Sequence, residues 1–167
     1  MLRRLSLFAG LVLLVSLVPT ATHAQGGEFF GGYSYMRVDN SPSFNLNGWE
    51  LSGQYKFAPW LGAVADFDGH YGSPFATSTS IHTFLFGPQV SWPGRVSPFG
   101  HVLIGGAHAT SGPFSDNSFS LAIGGGIDTR LVDHVYWRVI QGDYLRTSLF
   151  GTTQDNGRLS TGIVFKF

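Results

Sequence analysis

Asp66, Asp68 and His70 stand at positions i, i+2 and i+4 of one stretch, a spacing that puts all three side chains on the same face of a β-strand. Two carboxylates and an imidazole are metal-ligand types, and they could equally set a base beside a nucleophile such as Ser73. Distance argues against a shared ion. Each step along a strand rises about 3.3 Å, so the outer two residues lie about 13 Å apart, whereas ligands sit about 2 Å from their metal. The row is therefore expected to be charges pairing inside a barrel, with His70 at its outer rim and no metal bound.

A second arrangement, His108-Ala-Thr-Ser111, sets an imidazole near a hydroxyl, the pair that hydrolases use. No acid that would orient the imidazole is evident nearby, and residue types without geometry do not make a triad. His82, His101 and His134 are scattered. The glycine runs Gly31-Gly32, Gly105-Gly106 and Gly124-Gly125-Gly126 precede no helix, so they do not read as phosphate-binding loops. Their expected role is tight curvature and close packing of strands.

The elements that must position these residues are strands. The chain has 167 residues, no cysteine, a formal net charge of zero, 15% aromatic and only 12% charged residues. The charged fraction is about half that of an average globular protein, which argues against a disordered or nucleic-acid-binding chain. Arg3 and Arg4 precede an apolar run, Leu5 to Val18, then Pro19 and a small-residue region ending at Ala24. That order is a secretory signal peptide, expected to be cleaved after Ala24 and to leave a mature domain over 25–167. The apolar run is short of the roughly twenty residues that cross a bilayer as a helix.

Beyond it no helical period occurs, and eight alternating stretches follow. Phe29, Gly31, Tyr33 and Tyr35 share one parity of the first. In the second, Trp49, Leu51, Gly53, Tyr55 and Phe57 alternate with Glu50, Ser52, Gln54 and Lys56. In the third, Leu61, Ala63, Ala65 and Phe67 alternate with Val64, Asp66, Asp68 and His70. In the sixth, Phe119, Leu121, Ile123 and Ile127 oppose Ser120, Ala122, Gly124 and Asp128. Facing is ambiguous in 78–90, 97–109 and 135–144. Polar stretches at 39–46, 72–77, 110–118 and 145–155 read as longer loops, and 58–60, 91–96 and 130–134 as tight turns.

The final stretch, Asn156 to Phe167, alternates Leu159, Thr161, Ile163, Phe165 and Phe167 with Arg158, Ser160, Gly162, Val164 and Lys166. A flat apolar strand invites aggregation unless its edge is covered, and pairing it with the first strand closes a barrel. An alternating last strand ending in phenylalanine resembles the closing strand of small OmpA/OmpX-type outer-membrane β-barrels of the porin-like family. The resemblance implies an all-β, eight-stranded, antiparallel up-and-down transmembrane barrel in the bacterial outer membrane. It also implies that Ile163, Phe165 and Phe167 form the signal read by the barrel-assembly machinery.

A soluble barrel turns its apolar face inward, and a membrane barrel turns it toward lipid. Here the aromatics lie near strand ends, where interfacial girdles belong, and the opposite parity is rich in Gly, Ser and Ala, which suit a narrow interior. Asn47-Gly48-Trp49 lacks the spacing of the lipocalin signature. The membrane orientation is therefore expected, with Glu50, Lys56, Asp66, Asp68, Asp128, Arg138, Arg158 and Lys166 in the lumen as an ion-pair network. Glu50 and Asp68 fall side by side and need a base between them, Arg138 or Arg158. An eight-stranded interior is just wide enough for its own side chains, so the network should plug it.

The expected role is non-enzymatic: envelope-structural or surface-interacting through four outer loops, as a monomer among outer-membrane lipid and lipopolysaccharide. No cofactor, nucleic-acid partner or peptidoglycan-binding domain is expected. The alternatives are a lipid A-modifying enzyme, although His108-Ala-Thr-Ser111 departs from the deacylase H-x-S-N pattern, and a narrow channel.

Overall fold

A computed structural model describes residues 26–39, 42–149 and 151–167. The segment read as a signal peptide lies outside the described residues. Eight strands follow one another: β1 (Gly27–Asp39), β2 (Phe44–Ala58), β3 (Leu61–Gly72), β4 (Thr79–Ser91), β5 (Val96–Ser111), β6 (Phe114–Val132), β7 (Val135–Leu149) and β8 (Thr152–Lys166). Each pairs antiparallel with its neighbours, and β1 pairs with β8 from Glu28↔Lys166 to Asp39↔Asp155, closing the barrel. Closure satisfies every strand's ladder and leaves no edge. Pro74–Ala76 adds one 3-10 turn between β3 and β4.

The connections differ from those the sequence suggests. Most of 110–118 and 145–155 is strand: β5 reaches Ser111, β6 begins at Phe114, β7 reaches Leu149 and β8 begins at Thr152. The expected long loops there shrink to two-residue links, and the long-and-short alternation largely disappears. The polar residues of those stretches sit on strands because the faces of the sheet exchange character along its length. In the half nearer the termini, Phe29, Leu51, Tyr55, Ile163 and Phe165 point outward, while Glu28, Glu50, Gln54 and Arg158 are buried inside. In the far half Arg37, Asn45, His108, Arg146 and Ser148 point outward, and Met36, Leu46, Ala109, Leu145 and Leu149 are buried inside. A strand of fifteen residues, such as β2, is about 50 Å long and rises about 38 Å at a tilt of about 40°. An apolar band of about 25 Å leaves its last turn of side chains standing in water.

Two strand positions carry the local exceptions. Gly48 and Gly105 lie where strands approach closely: a Cβ would stand 1.9 Å from Gly69 O at the first and 2.0 Å from Phe84 O at the second. Within the glycine runs, Gly32, Gly124, Gly125 and Gly126 likewise stand against a neighbouring strand's backbone, whereas Gly106 makes only an ordinary contact. In β7, Asp128 pairs with Arg138 but Ile127 pairs with Ile140, and opposite β8 the register steps from Arg138↔Gly162 to Gln141↔Ser160. Val139 and Ile140 therefore bulge outward together, and Arg138 and Gln141 both turn inward. Thr161 Oγ1 donates to Arg138 O at 2.9 Å, occupying the carbonyl that the bulge withdraws from the ladder.

Candidate functional site

The inward positions of β2, β3, β7 and β8 meet at mid-lumen around Arg158, which is 1% exposed. Its Nε and Nη2 donate to Asp143 Oδ2 at 2.9 and 2.7 Å, and Nη1 donates to Asp66 Oδ1 at 2.8 Å and to Asp68 Oδ2. Glu50 Oε2 lies 3.7 Å from Nε. Glu50 and Asp68 are direct register partners across β2 and β3, and Arg158 is the base that reaches them.

One guanidinium among four carboxylates leaves an excess of negative charge in a water-poor space, so neutral and imidazole donors must take up the remaining oxygens. Gln141 Nε2 donates to Glu50 Oε1 and to Asp143 Oδ2, each at 2.8 Å. Ser160 Oγ donates to Glu50 and Thr83 Oγ1 to Asp68. His101 Nε2 lies 2.8 Å from Asp143 Oδ1, and His70 Nδ1 lies 3.1 Å from Asp68 Oδ1.

A second cluster sits toward the termini. Arg138 Nε and Nη2 donate to Asp128 at 2.8 and 3.3 Å, and Nη1 donates to Gln141 Oε1 at 2.6 Å, which joins the two clusters. The guanidinium lies between the rings of Phe30 and Phe99, 4.3 and 4.2 Å from their centroids, a cation–π sandwich. Lys166 Nζ lies 3.3 Å from both Asp128 and Glu28, and Lys56 also pairs with Glu28. A void of about 10 Å³ among Ser52, Gln54, Gln89 and Arg138 has room for one water. Beyond the Arg158 cluster, Met36, Val38, Leu46, Ile81, Leu103, Leu145 and Leu149 pack into one buried aliphatic cluster across the far half.

The eight residues expected in the lumen all face it, divided between these two clusters. Sequence reasoning missed Glu28, Asp143, Gln141 and His101. Asp143 and Gln141 lie in β7, whose parity the bulge conceals, and His101 lies in a strand with apolar residues on both faces. His70 is corrected: it is fully buried at mid-lumen, not at a rim, because β3 extends two residues past it.

Two hydrolase-like arrangements can be weighed by geometry. His108 faces outward, its Nδ1 2.8 Å from Asn117 Oδ1, while Ser111 lies on the other parity of β5, where its Oγ meets Thr79 at 3.3 Å. That histidine and serine do not meet. Ser34 Oγ does meet His70 Nε2, at 2.9 Å, and with Asp68 behind the ring this is the order of contacts in a serine triad. All three residues are 0% exposed, and Ser160 stacks a further hydroxyl on Ser34 at 2.9 Å. In this enclosed position the contact orients buried polar groups against one another.

The barrel is similar to solved structures. Ail, the attachment invasion locus protein of Yersinia pestis, matches with a TM-score of 0.65 and 19% identity over 86% of this chain and 99% of that one. The fold is that of the small eight-stranded outer-membrane barrels. Neisserial surface protein A matches with a TM-score of 0.68 and 15% identity over 84% of this chain and 97% of that one. OprG of Pseudomonas aeruginosa matches with a TM-score of 0.63 and 13% identity, over 86% and 96% respectively. No protein-family model and no curated protein matches the sequence. In such a small barrel the exchange of faces acquires a physical meaning, since outward apolar residues mark the part that lipid would solvate.

Proposed function

We propose that the chain acts as a non-enzymatic outer-membrane barrel with an envelope-structural or surface-interacting role and a lumen sealed by its own side chains. A signal peptide over 1–24 would export it. The even strand number puts both termini at one end, the periplasmic one, and the far rim outside. Lipopolysaccharide and lipid surround it, Ile163, Phe165 and Phe167 present it to the assembly machinery, and it functions as a monomer. The observation that carries the reading is the filled lumen, in which two joined ion clusters lie under one aliphatic cluster. A diffusion pathway would have to break several buried, charge-assisted contacts at once.

At the far rim the β5–β6 and β7–β8 links are only two residues long, which shifts part of any surface interaction from loops to strands. The outward polar side chains Arg37, Asn45, Arg146 and Asp155 are what a partner would meet. Ail has been crystallised with a heparin analogue, sucrose octasulfate, which makes polyanionic surfaces a reasonable first class to screen.

The test is refolding of residues 25–167 into lipid vesicles, followed by gel mobility with and without boiling and by planar-bilayer recording. A heat-dependent shift with no stepwise conductance is the expected result. Steady ohmic steps would refute the sealed lumen, and a soluble species with no shift would refute the membrane barrel itself.

A further inference from the structure

Five side chains form one row of contacts through the middle of the lumen. Glu50 Oε2 meets Ser160 Oγ, Ser160 Oγ meets Ser34 Oγ at 2.9 Å, and Ser34 Oγ meets His70 Nε2 at 2.9 Å. His70 Nδ1 ends the row on Asp68 Oδ1 at 3.1 Å. The five come from β1, β2, β3 and β8, and none is more than 3% exposed. Each of the four contacts must therefore be satisfied by the groups themselves.

A contact of this kind needs one hydrogen between its two heavy atoms. Two hydroxyls and the single N–H of a neutral imidazole supply three, and ionised carboxylates supply none. The row is one hydrogen short. Without it, two lone pairs face each other in a buried space, which is costly. One extra proton completes the row in either of two ways. Placed on Glu50, it lets Glu50 donate to Ser160, Ser160 to Ser34 and Ser34 to His70 Nε2, while Nδ1–H donates to Asp68. Placed on His70, it lets Nε2–H donate to Ser34, Ser34 to Ser160 and Ser160 to Glu50, and Nδ1–H still donates to Asp68. The two arrangements interconvert when each hydroxyl passes one hydrogen along, with no residue changing partner.

The surrounding charge favours the extra proton. Glu50, Asp66, Asp68 and Asp143 face one guanidinium, that of Arg158, and His101 stands against Asp143 from β5. Asp66 also adjoins Glu50, but Arg158 Nη1 already donates to it at 2.8 Å. Gln141 and Thr83, both uncharged, are the further neighbours of Glu50 and Asp68. We propose that Glu50, Ser160, Ser34, His70 and Asp68 form a proton-binding site, a wire that shares one proton between Glu50 and His70 and retains it where an unfolded chain has released it.

The test is reversible urea unfolding in lipid vesicles between about pH 7.5 and 9, where unfolded Asp, Glu and His side chains have lost their protons. A native state that still holds one loses stability as pH rises, by about tenfold in the unfolding equilibrium constant per pH unit. Ser34→Ala removes the middle of the row and changes no charge; the two contacts that remain have two hydrogens and need no extra proton. Glu50→Gln supplies the missing hydrogen from its own amide. Both variants should lose that tenfold-per-unit component relative to the parent, a difference that excludes any proton held on His101. Equal slopes in the parent and either variant would overturn the site, since a proton lodged between Glu50 and Asp66 survives Ser34→Ala. If Glu50→Gln does not refold, Ser34→Ala decides alone.

Discussion

Asp143 and Arg158 face each other across the β7–β8 ladder, and one carboxylate oxygen, Oδ2, takes two N–H groups of the guanidinium at 2.9 and 2.7 Å. The third nitrogen of the same fork crosses the lumen to Asp66 and Asp68 on β3. One side chain thereby ties two neighbouring strands to a strand three positions around the barrel. This cross-lumen bracing does not depend on sequence proximity, and it makes Arg158 the residue on which the interior electrostatics turn.

Removing that base should therefore cost far more than removing one of its acids. Arg158→Met leaves four carboxylates facing one another in a buried space, and a loss of about 3–5 kcal/mol is expected from the uncompensated charge. Asp143→Asn relieves repulsion while keeping a hydrogen-bonding partner, so its cost should be about 1 kcal/mol. Reversible urea unfolding in lipid vesicles, followed by tryptophan fluorescence, measures both. Equal losses for the two variants would mean that the cluster is held by packing and not by charge.

The exchange of faces gives a second prediction, on one strand and one face. Val102 and His108 both point outward from β5, but the first lies within the apolar band and the second beyond it. Val102→Arg should cost about 2–4 kcal/mol in a bilayer, and His108→Arg about 0–1 kcal/mol. The same unfolding assay decides. A similar penalty at both positions would place the membrane boundary elsewhere.

The exchange also explains which parts of the fold could be read from sequence. In β2, β3, β6 and β8 charged or small residues point in and apolar ones point out over long runs, so the period of two is plain, and Glu50, Asp66, Asp68, Asp128 and Arg158 were legible as lumenal. In β4 and β5 the outward Phe84, Phe86, Val102 and Ile104 flank the inward Leu85 and Leu103, which belong to the aliphatic cluster. Both faces are apolar there, and periodicity vanishes. In β7 the two outward residues Val139 and Ile140 shift the phase by one, which hid Gln141 and Asp143. The stretches 110–118 and 145–155 looked like loops because strands standing clear of lipid carry polar outward residues. Composition reports the solvent, not the hydrogen-bonded backbone.

Close strand approach supplies a third prediction. Gly48→Ala would drive a Cβ to 1.9 Å from the backbone oxygen of Gly69, which cannot swing away as a side chain could. A loss of about 2 kcal/mol or more is expected from overpacking. Gly157 lies outward on β8, and nothing stands within 4 Å of the Cβ it would gain. Gly157→Ala should stay within about 0.5 kcal/mol of the parent. Comparable destabilisation at the two sites would show that strand flexibility, not steric room, sets the requirement for glycine.

The last residue separates assembly from stability. Phe167 is 77% exposed; its backbone N–H donates to Gly27 O at 2.9 Å, but its ring adds little buried area to the barrel. Truncating the ring by Phe167→Ala should change the unfolding free energy of the refolded protein by less than about 1 kcal/mol, since exposed apolar atoms contribute little to folding. If Ile163, Phe165 and Phe167 are read by the assembly machinery, the same variant should reach the outer membrane at a clearly reduced level in cells. The paired measurements are quantitative immunoblotting of membrane fractions and unfolding in vesicles. Normal levels in cells would remove the recognition role from Phe167, and a large loss of stability would show that the ring braces the barrel closure directly.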